Sequence, residues 1–193
     1  MLAPAVLLAA CGGSLLPGGG ATDLSRPWQP EPYAVAQNLI AEAETACRGS
    51  GLGVIDAVNE LVVVDARGGG RLTLVFASAN TTAACDVQRQ NVGGRIVAIG
   101  GSMMEGGVAP TPEPDELVSF GTGGTSGPDG SSSSVTGRAG ASIASVRIAT
   151  PSGLDLAASI GPGGWYSAWW PTEEMSVEIR GLDANGNVVA TTQ

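Results

Sequence analysis

The spacing of apolar residues predicts one helix near the N-terminus of the chain. Between residues 33 and 48 apolar side chains recur every three or four positions, as on one face of an α-helix. Pro32 suits the first turn of this helix. The predicted apolar face comprises Ala36, Ile40, Ala43 and Cys47. We therefore expect Cys47 to point into whatever the helix packs against.

Strand patterns follow this helix. Two apolar runs, 61–65 and 71–77, flank a Gly68-Gly69-Gly70 turn, and alternate positions of the second run are apolar. Together they predict a hairpin with a short glycine-rich loop. Two shorter runs, at 83–87 and 95–99, predict two further strands of the same sheet.

The second half of the chain differs in composition from the first. Residues 106–134 are rich in Pro and then in Gly and Ser, which is typical of a linker, with 116–120 as a possible edge strand. From 135 to 193, short apolar runs alternate with turns about every ten residues, as in a β-sandwich.

These patterns predict a mainly β protein with one N-terminal helix. We expect an α+β unit over 33–105, a linker over 106–134 and a small β-sandwich-like unit over 135–193. In the alternative arrangement, the two β regions form one continuous domain.

Composition narrows the possible functions. The 193 residues carry a net charge of −9, whereas proteins that bind nucleic acid normally carry a positive surface, so we expect no nucleic-acid partner. All nine basic residues are Arg, and His is absent. The chain therefore lacks the commonest general base and transition-metal ligand, and any lysine chemistry. We expect no enzyme activity, no cofactor and no metal.

Carboxylate chemistry is the remaining enzymatic alternative. Two acidic side chains can hydrolyse a glycoside without any other catalytic group. The acids available for such a pair are Glu173, Glu174, Asp56, Glu60 and Asp155. Acidic side chains in a protein of net charge −9 are more simply a solvated surface, which makes a hydrolase the least favoured function.

The N-terminus carries the clearest motif. An uncharged apolar run ends in Leu8-Ala9-Ala10-Cys11, which resembles the lipobox of bacterial lipoproteins. The resemblance implies a signal peptide over 1–10 and a diacylglycerol thioether on Cys11, which becomes the mature N-terminus. It also implies an extracytoplasmic protein anchored to the membrane by lipid. Gly-rich residues 11–32 would form the tether, and a chance cysteine is the alternative.

No Arg or Lys precedes Cys11, although secretory signals begin with a basic region. We therefore expect that the natural chain begins upstream of Met1.

The lipoprotein interpretation leaves two of the three cysteines, Cys47 and Cys85. An even pair in an oxidising compartment predicts a disulfide, here between the helix and a strand. Two separate buried thiols are the alternative.

The C-terminal 60 residues carry a second resemblance. The stretch 164–171, Gly-Trp-Tyr-Ser-Ala-Trp-Trp-Pro, is followed by a strand and by Asp183-Ala184-Asn185-Gly186-Asn187. This part resembles uncharacterised actinobacterial exported proteins with a similar Ala-Trp-Trp-Pro stretch, and more loosely bacterial immunoglobulin-like modules. Neither resemblance implies an activity.

The spacing of Asp183, Asn185 and Asn187 is also that of a calcium loop, but a hairpin turn explains it better.

The aromatic stretch is the candidate binding surface. On a strand, Trp165 and Trp169 share one face while Tyr166 and Trp170 share the other. We expect one face to be core, with at least one of Trp169 and Trp170 nearly buried. The other face either covers a neighbouring strand or offers a flat surface to a glycan or an envelope protein.

Overall fold

The computed structural model describes residues 24–51, 55, 59–79, 81–90, 93–105, 110–127, 130–176 and 178–192. In these residues the protein is mainly β, with one helix, as the sequence predicts. Helix α1 spans Gln37–Gly49. The strands are β1 Glu60–Gly68, β2 Arg71–Ala77, β3 Thr81–Arg89, β4 Ile96–Glu105, β5 Leu117–Gly127, β6 Gly130–Ala139, β7 Ser145–Ala149, β8 Asp155–Ala157, β9 Ser159–Ile160, β10 Trp165–Trp170, β11 Glu178–Leu182 and β12 Val188–Thr192.

The strands form three antiparallel sheets of four strands each within the described residues. Sheet A has the order β1-β2-β3-β4, sheet B the order β5-β6-β10-β9, and sheet C the order β12-β11-β7-β8. Sheet A is a meander because each strand pairs with the next along the chain. Sheet B places β10 between β6 and β9, at the centre of the molecule.

Helix α1 and sheet A enclose the first core. Leu39, Ala43 and Cys47 of the helix pack against alternate side chains of β2, including Leu74 and Phe76. The predicted disulfide is confirmed here. It joins Cys47 of α1 to Cys85 of β3, with the Cα atoms 6.0 Å apart.

Sheets B and C enclose the second core, as two sheets of a sandwich do. Val135 of β6 and Trp170 of β10 point from sheet B toward Ile148 of β7 and Ile179 of β11 in sheet C. Sheet A packs on the opposite face of sheet B. We call this layer between sheets A and B the seam; its buried apolar residues are Val63, Val75, Ala77 and Trp165.

The Gly/Ser-rich stretch predicted as a linker over 106–134 is instead partly strand. Its described residues include all of β5 and the first residues of β6, which pair with each other up to Gly127 and Gly130. Gly and Ser have low intrinsic strand propensity, so composition favours a linker. Pairing of β6 with β10 on its other edge overrides that propensity.

The predicted tether over 11–32 also requires correction, because its last residues belong to the folded body. Leu24 is fully buried in the first core, and the Gln29 amide donates to the carbonyl of Arg67 at 2.8 Å. We call residues 24–33 the strap. The proposed lipid attachment site, Cys11, lies outside the described residues.

The described part of the chain contains no helix with both the length and the apolar character needed to cross a membrane.

Candidate functional site

Strand β10 carries the four aromatic side chains predicted as a possible binding surface, and all four are buried. Trp165 is 8% exposed, Trp169 is 3% exposed, and Tyr166 and Trp170 are fully buried. Sheet A covers one face of β10 and sheet C covers the other. Of the two arrangements expected for this stretch, the structure has the one in which the second face is also covered, because each face of the strand has its own covering layer.

Tyr166 and Trp170 face sheet C. The Tyr166 ring lies against Gly137 of β6, where a Cβ atom would come within 2.3 Å of the tyrosine oxygen. The Tyr166 hydroxyl donates to the carbonyl of Val118 at 3.3 Å, and burial raises the pKa of this phenol. The Trp170 indole donates to the carbonyl of Glu174 at 2.7 Å. These contacts make this face of β10 part of the sandwich core.

Trp169 faces the seam, together with Trp165. The guanidinium of Arg71 lies over the Trp169 ring, 5.0 Å from its centroid. Trp28 of the strap meets the same ring edge-on, with centroids 6.4 Å apart. This packing surrounds one aromatic ring with side chains from sheet A and from the strap.

A buried ion pair lies beside Trp169. Asp65 and Arg67 occupy alternate positions of β1 and point to the same side, where both side chains are inaccessible to solvent. Asp65 accepts hydrogen bonds from Arg67 Nε at 2.9 Å, from Ser159 Oγ at 2.6 Å and from the Trp169 amide at 3.1 Å. One carboxylate therefore links β1 in sheet A to β9 and β10 in sheet B.

The environment of Asp65 contains opposing electrostatic effects. Burial raises the pKa of Asp65, because it disfavours the charged carboxylate, while the charge and hydrogen bond of Arg67 act in the opposite direction. Arg67 also donates to the carbonyls of Pro30 and Ala157. The pair is thus embedded in protein and holds neighbouring segments together.

A second buried ion pair in the seam joins two strands of sheet A. Arg71 Nη2 lies 2.6 Å from Asp86 Oδ2, and Thr73 donates to the other carboxylate oxygen at 2.6 Å. Arg71 also contacts Ser132 of β6 in sheet B. The seam therefore has a polar character that the two cores lack.

Sequence reasoning missed these seam residues. Asp65 lies at the end of an apolar run, and the prediction treated it as the last residue of a strand. The available signal was the Asp65-Ala66-Arg67 pattern, since residues two apart on a strand share a face and opposite charges can pair there. Its partners Ser159 and Trp169 are 94 and 104 residues away, and no local pattern identifies them.

Among the described acids of the hydrolase alternative, Asp155, Glu173 and Glu174 are each bound by other groups of the chain. Asp155 forms ion pairs with Arg147 and Arg180 at 3.1 and 3.0 Å, and Glu173 accepts a hydrogen bond from Ser131. Glu174 accepts from the Ser152 amide, whereas Asp56 lies outside the described residues. Among the described residues no group of three or more acidic or cysteine side chains is placed to hold a metal ion.

The Asp183 loop forms the hairpin between β11 and β12. The Asp183 carboxylate accepts from the backbone amides of Asn185 and Asn187, both at 2.8 Å, and from the Asn187 side chain at 3.0 Å. These hydrogen bonds lower the pKa of Asp183, with the Asn187 side chain as the first cause. The carboxylate oxygens thus stabilise the turn by hydrogen bonds, as the hairpin interpretation predicts.

Comparison with protein-family models, with curated proteins and with solved structures gives no match. The resemblances to lipoproteins and to exported β modules therefore rest on the sequence motifs described above.

Proposed function

We propose that this chain is a membrane-anchored extracytoplasmic lipoprotein, serving as a non-enzymatic binding or structural module at the cell envelope. The observation that carries the proposal is the disulfide between Cys47 and Cys85. Disulfides persist in oxidising compartments and are rare in the cytosol. The disulfide therefore supports export, and the Leu8-Ala9-Ala10-Cys11 motif supplies the anchor.

The arrangement of charged groups supports a non-enzymatic role. The buried acids Asp65 and Asp86 are each bound to an arginine. The exposed Asp155 is paired with two arginines. Acid–base catalysis needs a carboxyl group that can reach a substrate, and these acids are held by other parts of the chain.

Charge restricts the partner of such a module. A net charge of −9 repels nucleic acid and anionic polymers. An envelope protein or a neutral glycan is therefore the partner that best fits this proposal.

One observation favours a second candidate function, that of a sensory or regulatory partner of a membrane protein. The strap, which includes the end of the proposed lipid-bearing tether, contacts sheet A through Gln29, sheet B through Trp28 and sheet C through Glu31. A change at the membrane would thus act directly on the folded body.

Lipidation at Cys11 is the test of the proposal. The membrane fraction of a bacterial host should contain the protein, and its intact mass should exceed that of the processed polypeptide by the mass of the lipid. Cys11→Ser should release the protein or change its location, whereas the nearby Ser14→Ala should behave like the wild type. A membrane form whose intact mass includes no acyl chains would contradict the proposal.

A further inference from the structure

The three interfaces between layers differ in character. The core under helix α1 and the core between sheets B and C are built from apolar side chains. The seam combines a smaller apolar set with the two buried ion pairs, Asp65–Arg67 and Asp86–Arg71. Interfaces between domains are typically more polar than domain cores and permit relative motion. By this rule the seam, rather than either apolar core, is the layer at which separation is expected.

The strap fastens to the sheet A side of this seam. The Gly69 amide donates to the carbonyl of Arg26 at 2.7 Å, and the Gly70 amide donates to that of Leu24 at 2.8 Å. Gly68 has a positive φ of 91°, and a Cβ atom there would lie 2.3 Å from the carbonyl oxygen of Pro27. The β1–β2 turn is thus shaped to receive the strap.

The same strap also fastens to the other side of the seam. Trp28 packs edge-on against Trp169 of sheet B. The carbonyl of Pro30 accepts from the Ala157 amide at 3.3 Å, and Glu31 pairs with Arg147 at 2.7 Å, both in sheet C. A single short segment thus connects the two sides of the seam.

We propose that the strap is a latch on the seam. Its release withdraws Leu24 and Trp28 from the edges of the two cores and allows sheets A and B to separate, while helix α1 stays on sheet A and sheet B stays on sheet C. Separation exposes Trp165 and Trp169 to solvent. This inference deepens the proposed binding function, on which its biological use rests. The latch itself does not depend on lipidation, so its test is independent of the test at Cys11.

Two cysteine substitutions in neighbouring positions of β10 report on the two faces of the strand. Ser167 is fully buried and faces the seam, between Trp165 and Trp169, and its hydroxyl has no hydrogen-bond partner among the described residues. Ala168 is equally buried but faces the core between sheets B and C. Ser167→Cys and Ala168→Cys, each in the full chain with Cys11→Ser, would carry one free thiol apiece.

The experiment measures the rate at which a maleimide labels each thiol under native conditions. A buried thiol reacts only when its own layer opens, so each rate reports one interface. The strap is weakened by Trp28→Ala with Glu31→Gln, which remove the ring contact with Trp169, the packing of Trp28 against the edge of the core between sheets B and C, and the ion pair with Arg147. Met175→Ala with Glu113→Gln is the matched control, because it makes similar changes at exposed positions.

The latch predicts a selective change. Weakening the strap should accelerate labelling of the Ser167→Cys thiol at least tenfold and leave the rate for the Ala168→Cys thiol within twofold, and the control variant should change neither rate. Equal acceleration of both thiols would overturn the proposal, because the strap would then only stabilise the whole fold. An unchanged labelling rate for the seam-facing thiol would overturn it as well, because the strap would then have no effect on how often the seam opens.

Discussion

At the scale of single residues, Arg67 is the clearest determinant of the seam. Its guanidinium holds the buried Asp65 carboxylate at 2.9 Å and donates to two backbone carbonyls. Removing one partner of a buried ion pair leaves an uncompensated charge, which costs about 3–5 kcal/mol. We expect Arg67→Met to lower the free energy of unfolding by that amount at pH 7, as measured by urea denaturation.

The decrease in unfolding free energy caused by Arg67→Met should depend on pH. Burial raises the pKa of Asp65 in the folded protein, and loss of Arg67 removes the main opposing effect. An acid with a raised folded pKa favours folding below its ordinary value of 3.8 and loses that contribution as pH rises through the folded value. The decrease in unfolding free energy should therefore be smaller at pH 4 than at pH 7. Arg147→Met, at a partly exposed ion pair, should cost about 1 kcal/mol or less; equal costs for the two variants would contradict this account.

Gly137 is a second residue whose identity is fixed by its neighbours. A Cβ atom there would lie 2.2 Å from the carbonyl oxygen of Val118 and 2.3 Å from the Tyr166 hydroxyl. Overpacking of this kind costs about 1–3 kcal/mol. We expect Gly137→Ala to lower the thermal unfolding temperature. Gly121→Ala is the control, since a Cβ atom there meets nothing within 4 Å. A similar decrease for both variants would contradict this account, because a Cβ atom at position 121 contacts no neighbour.

At the scale of secondary-structure elements, β10 shows what the alternation of side chains can and cannot predict. Alternation correctly separates Trp165 and Trp169 from Tyr166 and Trp170. The pattern cannot show that both faces are covered, because the covering residues, such as Trp28 and Ile148, lie far away in sequence. A near-continuous apolar run such as 165–170 is typical of a strand buried on both faces, but it does not identify the elements that cover it.

Both tryptophans of the Trp169-Trp170 pair should therefore be essential for stability. Truncating a buried Trp to Ala costs about 3–5 kcal/mol, and these two side chains are 3% and 0% exposed. We expect Trp169→Ala and Trp170→Ala each to lower the unfolding free energy by this amount in chemical denaturation. Met175→Ala, at a position 47% exposed, should stay within about 0.5 kcal/mol of wild type. A mild effect of either Trp variant would indicate that its face is not part of the core.

The β5–β6 hairpin shows a different limit of sequence prediction. The apolar strands β1, β2 and β10 overlap the predicted runs, and their apolar side chains are buried or half-buried. Strand β5 extends to Gly127 through Gly, Thr and Ser, and its signal is weak because these residues bury little apolar surface. Its pairing with β6 depends on the position of β10, which no local pattern specifies.

At the scale of the whole molecule, the two predicted β regions contribute separate sheets that pack against each other. Sheet A packs face to face on sheet B across the seam, and the strap crosses the junction. The sequence does predict which two cysteines form the disulfide in the first core, because only Cys47 and Cys85 remain once Cys11 is assigned to lipid attachment. The seam, in contrast, depends on ion pairs and on packing between distant segments, so it could not be predicted.

The disulfide provides a prediction about how the whole molecule unfolds. It closes a loop with a sequence separation of 38, for which the chain-entropy model gives about 4 kcal/mol. Because both cysteines lie in the core under α1, whereas β7 and β11 line the core between sheets B and C, the loss from Cys47→Ala with Cys85→Ala should fall mainly on the N-terminal layers. Hydrogen exchange should therefore accelerate strongly in β2 and β3 and much less in β7 and β11.

Cys11→Ser is the control for this experiment, since it removes a cysteine that takes no part in the disulfide. We expect it to leave all four exchange rates unchanged. If β7 and β11 lose as much protection as β2 and β3, the molecule unfolds as a single cooperative unit. The seam would then be no weaker than the cores beside it, and a strap that latches it would have no interface to release.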